Sequence, residues 1–340
     1  MATPTGGARL NPYLVYQTLN AYQSTAALRA GIELDVFTAI GQGYDTVAAL
    51  AKRCQAKERG IRILCDFLVI IGFLTKQDQR YALTSESAVY LDRRSGACMS
   101  STAGFLTLPE TVTAFMSLAD TIRTGQLALQ GEGCVSPENP VWIEFARSMA
   151  PMMRAVAEEI AREIGAAAGK KWKVLDLAAG HGTFGITIAQ RNPNAQIFAQ
   201  DWDMVLDVAM SNARAAGVQA RVHRLAGDAF DLDLGTGYDV ILVTNFLHHF
   251  DPATNETLLR KLRAALSPGG LVVTLDFIPD EDRVTPARAA GFAITMLGTT
   301  RLGDAYTAEE YRKMFESAGF RSNDVRPVMA SGHSLILSRV

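Results

Sequence analysis

The chain has few cysteines and no pattern among them. Cys54, Cys65, Cys98 and Cys134 stand apart, with no C-x-x-C pair and no histidine at ligand spacing. That argues against a zinc site or a disulfide framework and suits a reducing compartment. Long apolar runs are missing as well. FLVIIGFL, from Phe67, is the most apolar stretch, far short of the roughly 18 residues a spanning helix needs. The N-terminal MATPTGGARLNPYL lacks the basic-then-apolar order of a signal peptide. Nor does charge of one sign dominate: 33 Lys and Arg against 35 Asp and Glu leave a net charge of -2. No global positive field recruits nucleic acid or an acidic membrane. These absences predict a soluble, cytoplasmic protein with no metal, no nucleic-acid partner and no membrane partner.

What is present is the balance of a chain that buries a core, with 48% hydrophobic and 20% charged residues. At 340 residues there is room for two domains. From about Leu14 to Ile164 the apolar spacing is helical, and LVYQTLNAYQSTAALRAGIELDVFTAI carries few charges to wet its faces. Asp45 is placed to cap the helix TVAALAKRC, ERGIRILCDFLVIIGF follows as a second helix, and FLTKQDQRYALT reads as a hairpin. Helix, helix, hairpin is a winged-helix layout. A DNA-reading helix needs polar and basic groups toward the groove. Here Ile61, Ile63, Leu64, Phe67 and Leu68 dominate, with Arg59 and Arg62 as the basic groups, so a packing and dimerisation module is expected. The apolar first helices predict a homodimer.

After a loop at Gly131 to Pro140, WIEFARSMAPMMRAVAEEIAREIG reads as one long amphipathic helix, with a kink or break expected at Pro151. From Lys173 the pattern alternates. KVLDLAA, QIFAQD, RVHRLAGD, YDVILVTN and GLVVTLDF are β-rich runs separated by helical segments. That order predicts an α/β domain, a Rossmann-like mostly parallel sheet with helices on both faces. HSLILSRV closes the chain as an expected edge strand. The expected division is 1–105 for a helical, winged-helix dimerisation domain, 106–170 for connecting helices lining an acceptor pocket, and 171–340 for the Rossmann-like domain.

The first of these strands runs through Asp176 into LAAGHGTFG, where Gly180 and Gly182 permit a tight strand-to-helix turn and close ligand approach. With Gly185 they also satisfy G-x-G-x-x-G, the dinucleotide fingerprint. A dinucleotide wants a pyrophosphate on the helix N-terminus. S-adenosylmethionine has no phosphate, and its sulfonium and amino-acid parts favour a nearby carboxylate such as Asp176. Asp201 ends the second strand, where an acid can accept ribose hydroxyls. Asp228 in GDAF ends the third, facing an adenine amino group, and LSPGG predicts a tight turn before the fifth strand. Three spaced acids and that turn favour the methyl donor.

The D-x-A-x-G-x-G loop, the acid after the second strand, GDAF, LHHF and PGG together resemble the class I S-adenosylmethionine-dependent methyltransferases in order and spacing. With the helical first half, nearly the whole chain resembles the small-molecule O-methyltransferases of the plant caffeate type and their bacterial relatives. The resemblance implies cofactor contacts from Asp176, Gly180, Gly182, Asp201, Trp202, Asp228, Ala229 and Asn245. In one departure Ala178 replaces the loop's usual first glycine, a change that suits a residue with φ below zero.

Methyl transfer to a phenol requires in-line positioning and removal of one proton. Histidine suits the second task near neutrality. His248 and His249 follow the fourth strand at the end of the sheet where ligands sit, and His248 matches the family's base. The family orients that histidine with acids at two later points; here Asp276 falls only approximately in register, and Ala305 stands at the other position beside Asp304. Phe145, Met149, Met152 and Met153 on the long helix, with Trp142, and Phe292 and Met296 later, are candidates for an apolar acceptor pocket. His181 is expected to present its backbone to the cofactor, and His223 and His333 are expected to be structural.

The leading expectation is therefore methyl transfer from S-adenosylmethionine to a hydroxyl of a small hydrophobic, aromatic or polyketide-like molecule. Three alternatives stay open: a decarboxylation or pericyclic reaction on the same fold and cofactor, a winged-helix DNA-binding regulator, and a nicotinamide oxidoreductase.

Overall fold

The computed structural model describes residues 10–129, 133–134, 139–329 and 331–340. The loop expected at Gly131 to Pro140 falls largely outside them. The chain divides into two compact units, Met1–Ala103 and Gly104–Val340.

In the first unit, α1 (Tyr13–Leu19), α2 (Ala21–Glu33) and α3 (Val36–Gly41) precede α4 (Val47–Arg53) and α5 (Glu58–Ile70). The hairpin β1 (Leu74–Gln77) and β2 (Arg80–Leu83) follows, with Leu74 opposite Leu83. Ile61, Cys65 and Leu68 of α5 fall at helical spacing and pack with Val36, Phe37, Leu50 and Tyr81. That cluster consumes one face of α5. The cap of α4 is Thr46, not Asp45: the Thr46 hydroxyl accepts the Ala49 N–H at 3.3 Å. Asp45 is taken instead by Arg80, at 2.7 and 2.8 Å. A helix α6 (Ser85–Tyr90) completes the unit, and α7 (Thr102–Leu106) spans its boundary with the second.

The second unit continues with α8 (Pro109–Met116), α9 (Leu118–Thr124) and α10 (Val141–Glu163). Helix α10 runs unbroken through Pro151, even though the ring removes an amide donor from the helical ladder. Alternation then takes over: β3 (Lys173–Leu177), α11 (Thr183–Arg191), β4 (Gln196–Asp201), α12 (Asp203–Ala215), β5 (Val222–Ala226), β6 (Tyr238–Thr244), α13 (Pro252–Ala265) and β7 (Leu266–Asp276). The chain ends with α14 (Ala287–Thr299), α15 (Ala308–Ser317), β8 (Ser322–Val328) and β9 (His333–Arg339). The sheet order is β5-β4-β3-β6-β7-β9-β8, parallel as far as β7, with β9 antiparallel to both its neighbours.

Strand residues alternate between two cores. Val174, Ile197 and Val240 meet α10, α11 and α12 on one face; Leu175, Ile241 and Val272 meet α13 and α15 on the other. Two details differ from expectation. HSLILSRV is not an edge strand but lies inside, between β7 and β8, which accounts for its nearly continuous burial. The edge is β8, SNDVRPV, polar and exposed, with Pro327 where an edge strand tolerates a missing donor. The LSPGG turn sits within β7: Leu266 pairs with Tyr238 and Leu271 with Val240, so the residues between bulge out. Among the described residues no helix is long and apolar enough to cross a membrane.

Candidate active site

The C-terminal ends of β3, β4, β5, β6 and β7 carry most of the residues singled out above. Behind β3 the chain turns through Gly180 and Gly182, at φ +56° and +71°, into α11. Gly185 lets α11 close on the strand, because a Cβ there would sit 2.6 Å from Ile197 and 2.8 Å from Asp176. The Gly185 N–H donates to Asp176 Oδ2 at 3.0 Å, while Asp176 Oδ1, also buried, has no partner among the described residues. Burial therefore pushes the Asp176 carboxyl up to about 7, against the Gly185 hydrogen bond. Ala178 departs from expectation: its φ is +50°, in the left-handed region where an L side chain costs about 1 kcal/mol.

Asp201, at the end of β4, accepts the Gly180 N–H at 2.8 Å and the Trp202 N–H at 2.7 Å. Burial nonetheless raises it to about 6. Trp202 caps α12, its carbonyl accepting from Val205 and Leu206. Behind β5, Asp228 Oδ1 accepts the Phe230 N–H, and Lys261 Nζ donates to the carbonyls of Ala229 and Phe230. Asn245, just past β6, has φ +52° and a buried Oδ1 without a partner among the described residues, with Nδ2 3.8 Å from Met153 Sδ. His181 is buried and held neutral, its pKa lowered to about 4 by burial. Its Nδ1 accepts the Thr183 N–H, and its carbonyl is taken by Asn212. His333 is likewise buried, 3.9 Å from the Phe277 ring centre.

On the other side of β3, His248 and His249 form a short turn after β6. His248 Nδ1 lies 2.6 Å from Asp276 Oδ1, with both side chains buried. Asp276 is thus directly in register with His248, closer than the spacing suggested. Two further donors hold it: the Phe277 N–H reaches Oδ1 at 2.8 Å, and the Tyr311 hydroxyl reaches Oδ2 at 2.7 Å. Burial alone would raise Asp276, but His248, Tyr311 and Phe277 hold it below the usual carboxylate range. Tyr311 is raised by burial and by Asp276, so it stays a phenol and a donor. Nothing in the local sequence marks Tyr311, which lies 35 positions from its partner. Asp304 does not join the group through its side chain, which turns to Arg283; its N–H donates to the His248 carbonyl.

The Nδ1 of His249 donates to the Phe246 carbonyl, and burial with the His248 neighbour lowers its pKa to about 3. Trp142 packs against it at 5.4 Å, and Phe292 packs edge-on to His248 at 4.8 Å. Phe145 stacks on His181 and flanks Gly180. Met149 and Met296 are buried, and Met153, with Met152 against it, belongs to the α10 face of the core.

The cofactor-side groups suit S-adenosylmethionine. They offer a buried carboxylate oxygen and a buried amide oxygen with no partner among the described residues, on Asp176 and Asn245, and a second carboxylate on Asp201. The loop from Asp176 to Gly185 contains no lysine or arginine to neutralise a pyrophosphate.

Comparison with known proteins agrees. A solved structure assigned as an O-methyltransferase of Nostoc punctiforme PCC 73102 superposes with a TM-score of 0.92 at 47% identity, covering 97% of this chain and 99% of that one. The tetracenomycin polyketide synthesis 8-O-methyl transferase TcmO of Streptomyces glaucescens is 27% identical over 327 residues, 94% of this chain and 93% of the relative. Human N-acetylserotonin methyltransferase, solved in complex with S-adenosylmethionine, shares the fold with a TM-score of 0.82 at 22% identity, covering 98% and 99% of the two chains. The O-methyltransferase domain matches residues 137–321 and the O-methyltransferase dimerisation domain residues 16–93. The chain therefore belongs to the O-methyltransferase family, carries its dimerisation domain, and uses S-adenosylmethionine as its cofactor.

Proposed function

We propose that this chain methylates a hydroxyl of a small hydrophobic acceptor, aromatic or polyketide-like, with His248 as general base. The observation that carries the reading is the buried His248–Asp276 contact of 2.6 Å at the sheet end where ligands gather. Asp276 engages Nδ1, which fixes the proton there and leaves Nε2 as the basic nitrogen. Bound S-adenosylmethionine supplies an electrophilic methyl group on a sulfonium. Asp176, Gly180, Gly182, Asp201, Trp202, Asp228, Ala229 and Asn245 would hold it. Nε2 of His248 would accept the proton of the acceptor hydroxyl, whose oxygen would gain the methyl group as the C–S bond broke to leave S-adenosylhomocysteine. His249, kept neutral by burial, serves as a wall beside the base.

The acceptor class rests on Trp142 packed against His249, Phe292 against His248 and Phe145 against Trp142, with Met149 and Met296 as further buried apolar candidates for the pocket, and on the tetracenomycin relative. Residues 106–170 act as the connecting helices that line the acceptor, between a dimerisation domain at 1–105 and the catalytic domain at 171–340. Incubation with labelled donor and a panel of phenols tests the reading. A methylated product is expected from the wild-type protein and a loss of at least about a hundredfold in kcat from His248→Ala. Tight S-adenosylhomocysteine binding with no product from any acceptor would sink it.

The same reading places the homodimer interface on the first helices. Tyr13, Leu14, Tyr16, Leu19 and Tyr22 are each more than half exposed in the single chain, a patch that demands cover. Removal of the residues before Ala30 is expected to give monomeric or aggregated, inactive protein by size-exclusion chromatography. A soluble, active truncation would defeat the placement. The free cysteines fit a cytoplasmic enzyme.

A further inference from the structure

Ala178 sits in the left-handed region inside the cofactor loop, and its conformation has an identifiable holder. Gln200, 2% exposed near the end of β4, accepts the Ala178 N–H on Oε1 at 3.1 Å. Its Nε2 donates to the Gly227 carbonyl at 2.6 Å. A carbonyl partner on one side and an N–H partner on the other fix which way the amide points. The backbone adds to this: the Gln200 carbonyl accepts the Ala179 N–H at 2.9 Å, and the Asp201 carbonyl accepts the Gly227 N–H at 3.1 Å. Asp201 Oδ2 takes the next amide, Gly180. Two adjacent residues of β4 therefore hold three consecutive amides of the loop after β3 and both backbone groups of Gly227 after β5. Strand order makes this natural, since β4 lies between β3 and β5.

We propose that Gln200 is a positioning residue for the cofactor site. Its side-chain amide holds Ala178 at positive φ and sets the first and third loops against each other, so that Asp176, Gly180 and Asp228 converge on one ligand. The inference rests on the cofactor assignment of those loops. A glycine at 178 would reach the same conformation without a Cβ penalty and need no such clamp. The interaction is therefore conditional in part: the hold on the φ of residue 178 matters because that residue is an alanine, while the bond to Gly227 does not depend on it.

The test is a double-mutant cycle of Gln200→Met and Ala178→Gly, read by calorimetric titration with S-adenosylhomocysteine and by urea unfolding without ligand. Gln200→Met is expected to weaken binding about tenfold, the effect of roughly one hydrogen bond plus released strain. Ala178→Gly alone should bind within about twofold of wild type, and the double variant should recover most of the lost affinity and part of the lost urea midpoint. Unchanged affinity in Gln200→Met would overturn the proposal, as would an Ala178→Gly change that leaves the loss as large as before. If Gln200→Met does not fold, a folded, ligand-binding double variant supports the proposal and an equally unfolded one overturns it. If wild type itself fails to bind, the cofactor assignment falls; the urea midpoints of the four proteins still decide whether Gln200 and Ala178 are coupled.

Discussion

Two aspartates, Asp176 on β3 and Asp276 at the end of β7, share a residue type, a sheet and full burial, and they behave oppositely. Among the described residues Asp176 has one hydrogen-bond donor, the Gly185 N–H, and one oxygen with no partner; burial carries it up to about 7. Asp276 has three donors, on His248, Phe277 and Tyr311, and these hold it below the usual range despite the same burial. Burial sets the cost of the charge, and the donors decide its sign. An acid with a spare oxygen is a group prepared for a ligand. An acid with both oxygens engaged is a group that orients its neighbour. On the function proposed above, the two ends of the active site divide along that line, cofactor on one side and base on the other.

The largest expected effect comes from breaking the engaged acid. Asp276→Asn keeps the shape but presents an amide to His248, which disturbs the tautomer that leaves Nε2 basic. A fall in kcat of at least about a hundredfold is expected, with S-adenosylhomocysteine affinity unchanged by calorimetry. Retained kcat with lost affinity would reverse the roles given to the two acids.

The spare acid should answer to pH instead. The ionised forms of Asp176 and Asp201 suit a cofactor with a cationic amino group, and burial raises both, to about 7 and about 6. S-adenosylhomocysteine affinity should therefore rise with pH through that range and level off above it. Asp176→Asn keeps an acceptor for the Gly185 N–H but removes the charge. It should bind about tenfold more weakly at pH 8 and show a flatter pH dependence. Stability without ligand should move the other way. A carboxyl raised in the folded state binds its proton more tightly there than in the unfolded chain. Its contribution is full below the unfolded pKa near 4 and is lost as pH rises through about 7. Asp176→Asn should then raise the urea midpoint at pH 8 and leave it little changed at pH 4. Asp276, depressed in the folded state, contributes above the unfolded pKa and loses that contribution in acid. Equal pH responses from the two asparagine variants would dissolve the contrast.

The residues proposed for the cofactor side of this contrast are largely legible in the sequence, because they stand at or near strand ends. Asp176 and Asp201 stand at or near the end of a β-rich run and Asp228 just past one, and a run's end shows in its hydrophobic pattern. His248 was visible for the same reason. The partners were not. Asp276 and His248 are 28 positions apart and Tyr311 lies 35 beyond Asp276 on a helix, so their meeting depends on the strand order and on how α15 packs. Gln200 reads as one more strand residue, with no pattern to mark an amide shared between two loops. The φ of Ala178 escaped for a related reason: the turn, held by contacts from β4, dictates it over the preference of alanine. Strand β8 was missed because an exposed, polar edge strand has no apolar alternation to display.

The smallest effect expected is also the sharpest test of the engaged acid. Tyr311→Phe removes one donor from Asp276 and keeps the ring that packs beside Tyr306. The carboxylate loses stabilisation, so Asp276 gives up part of its depression and holds a proton more tightly. The acid limb of kcat/KM should move to higher pH by up to about one unit, matching the ~1 kcal/mol of a single hydrogen bond. At the foot of that limb the variant should be several-fold slower, and well above it nearly as fast as wild type. A tyrosine that merely fills space would lower the rate by the same factor at every pH. If the limb stays where it is, Asp276 owes its low pKa to His248 and Phe277 alone, and the hydroxyl of Tyr311 serves the core rather than the base.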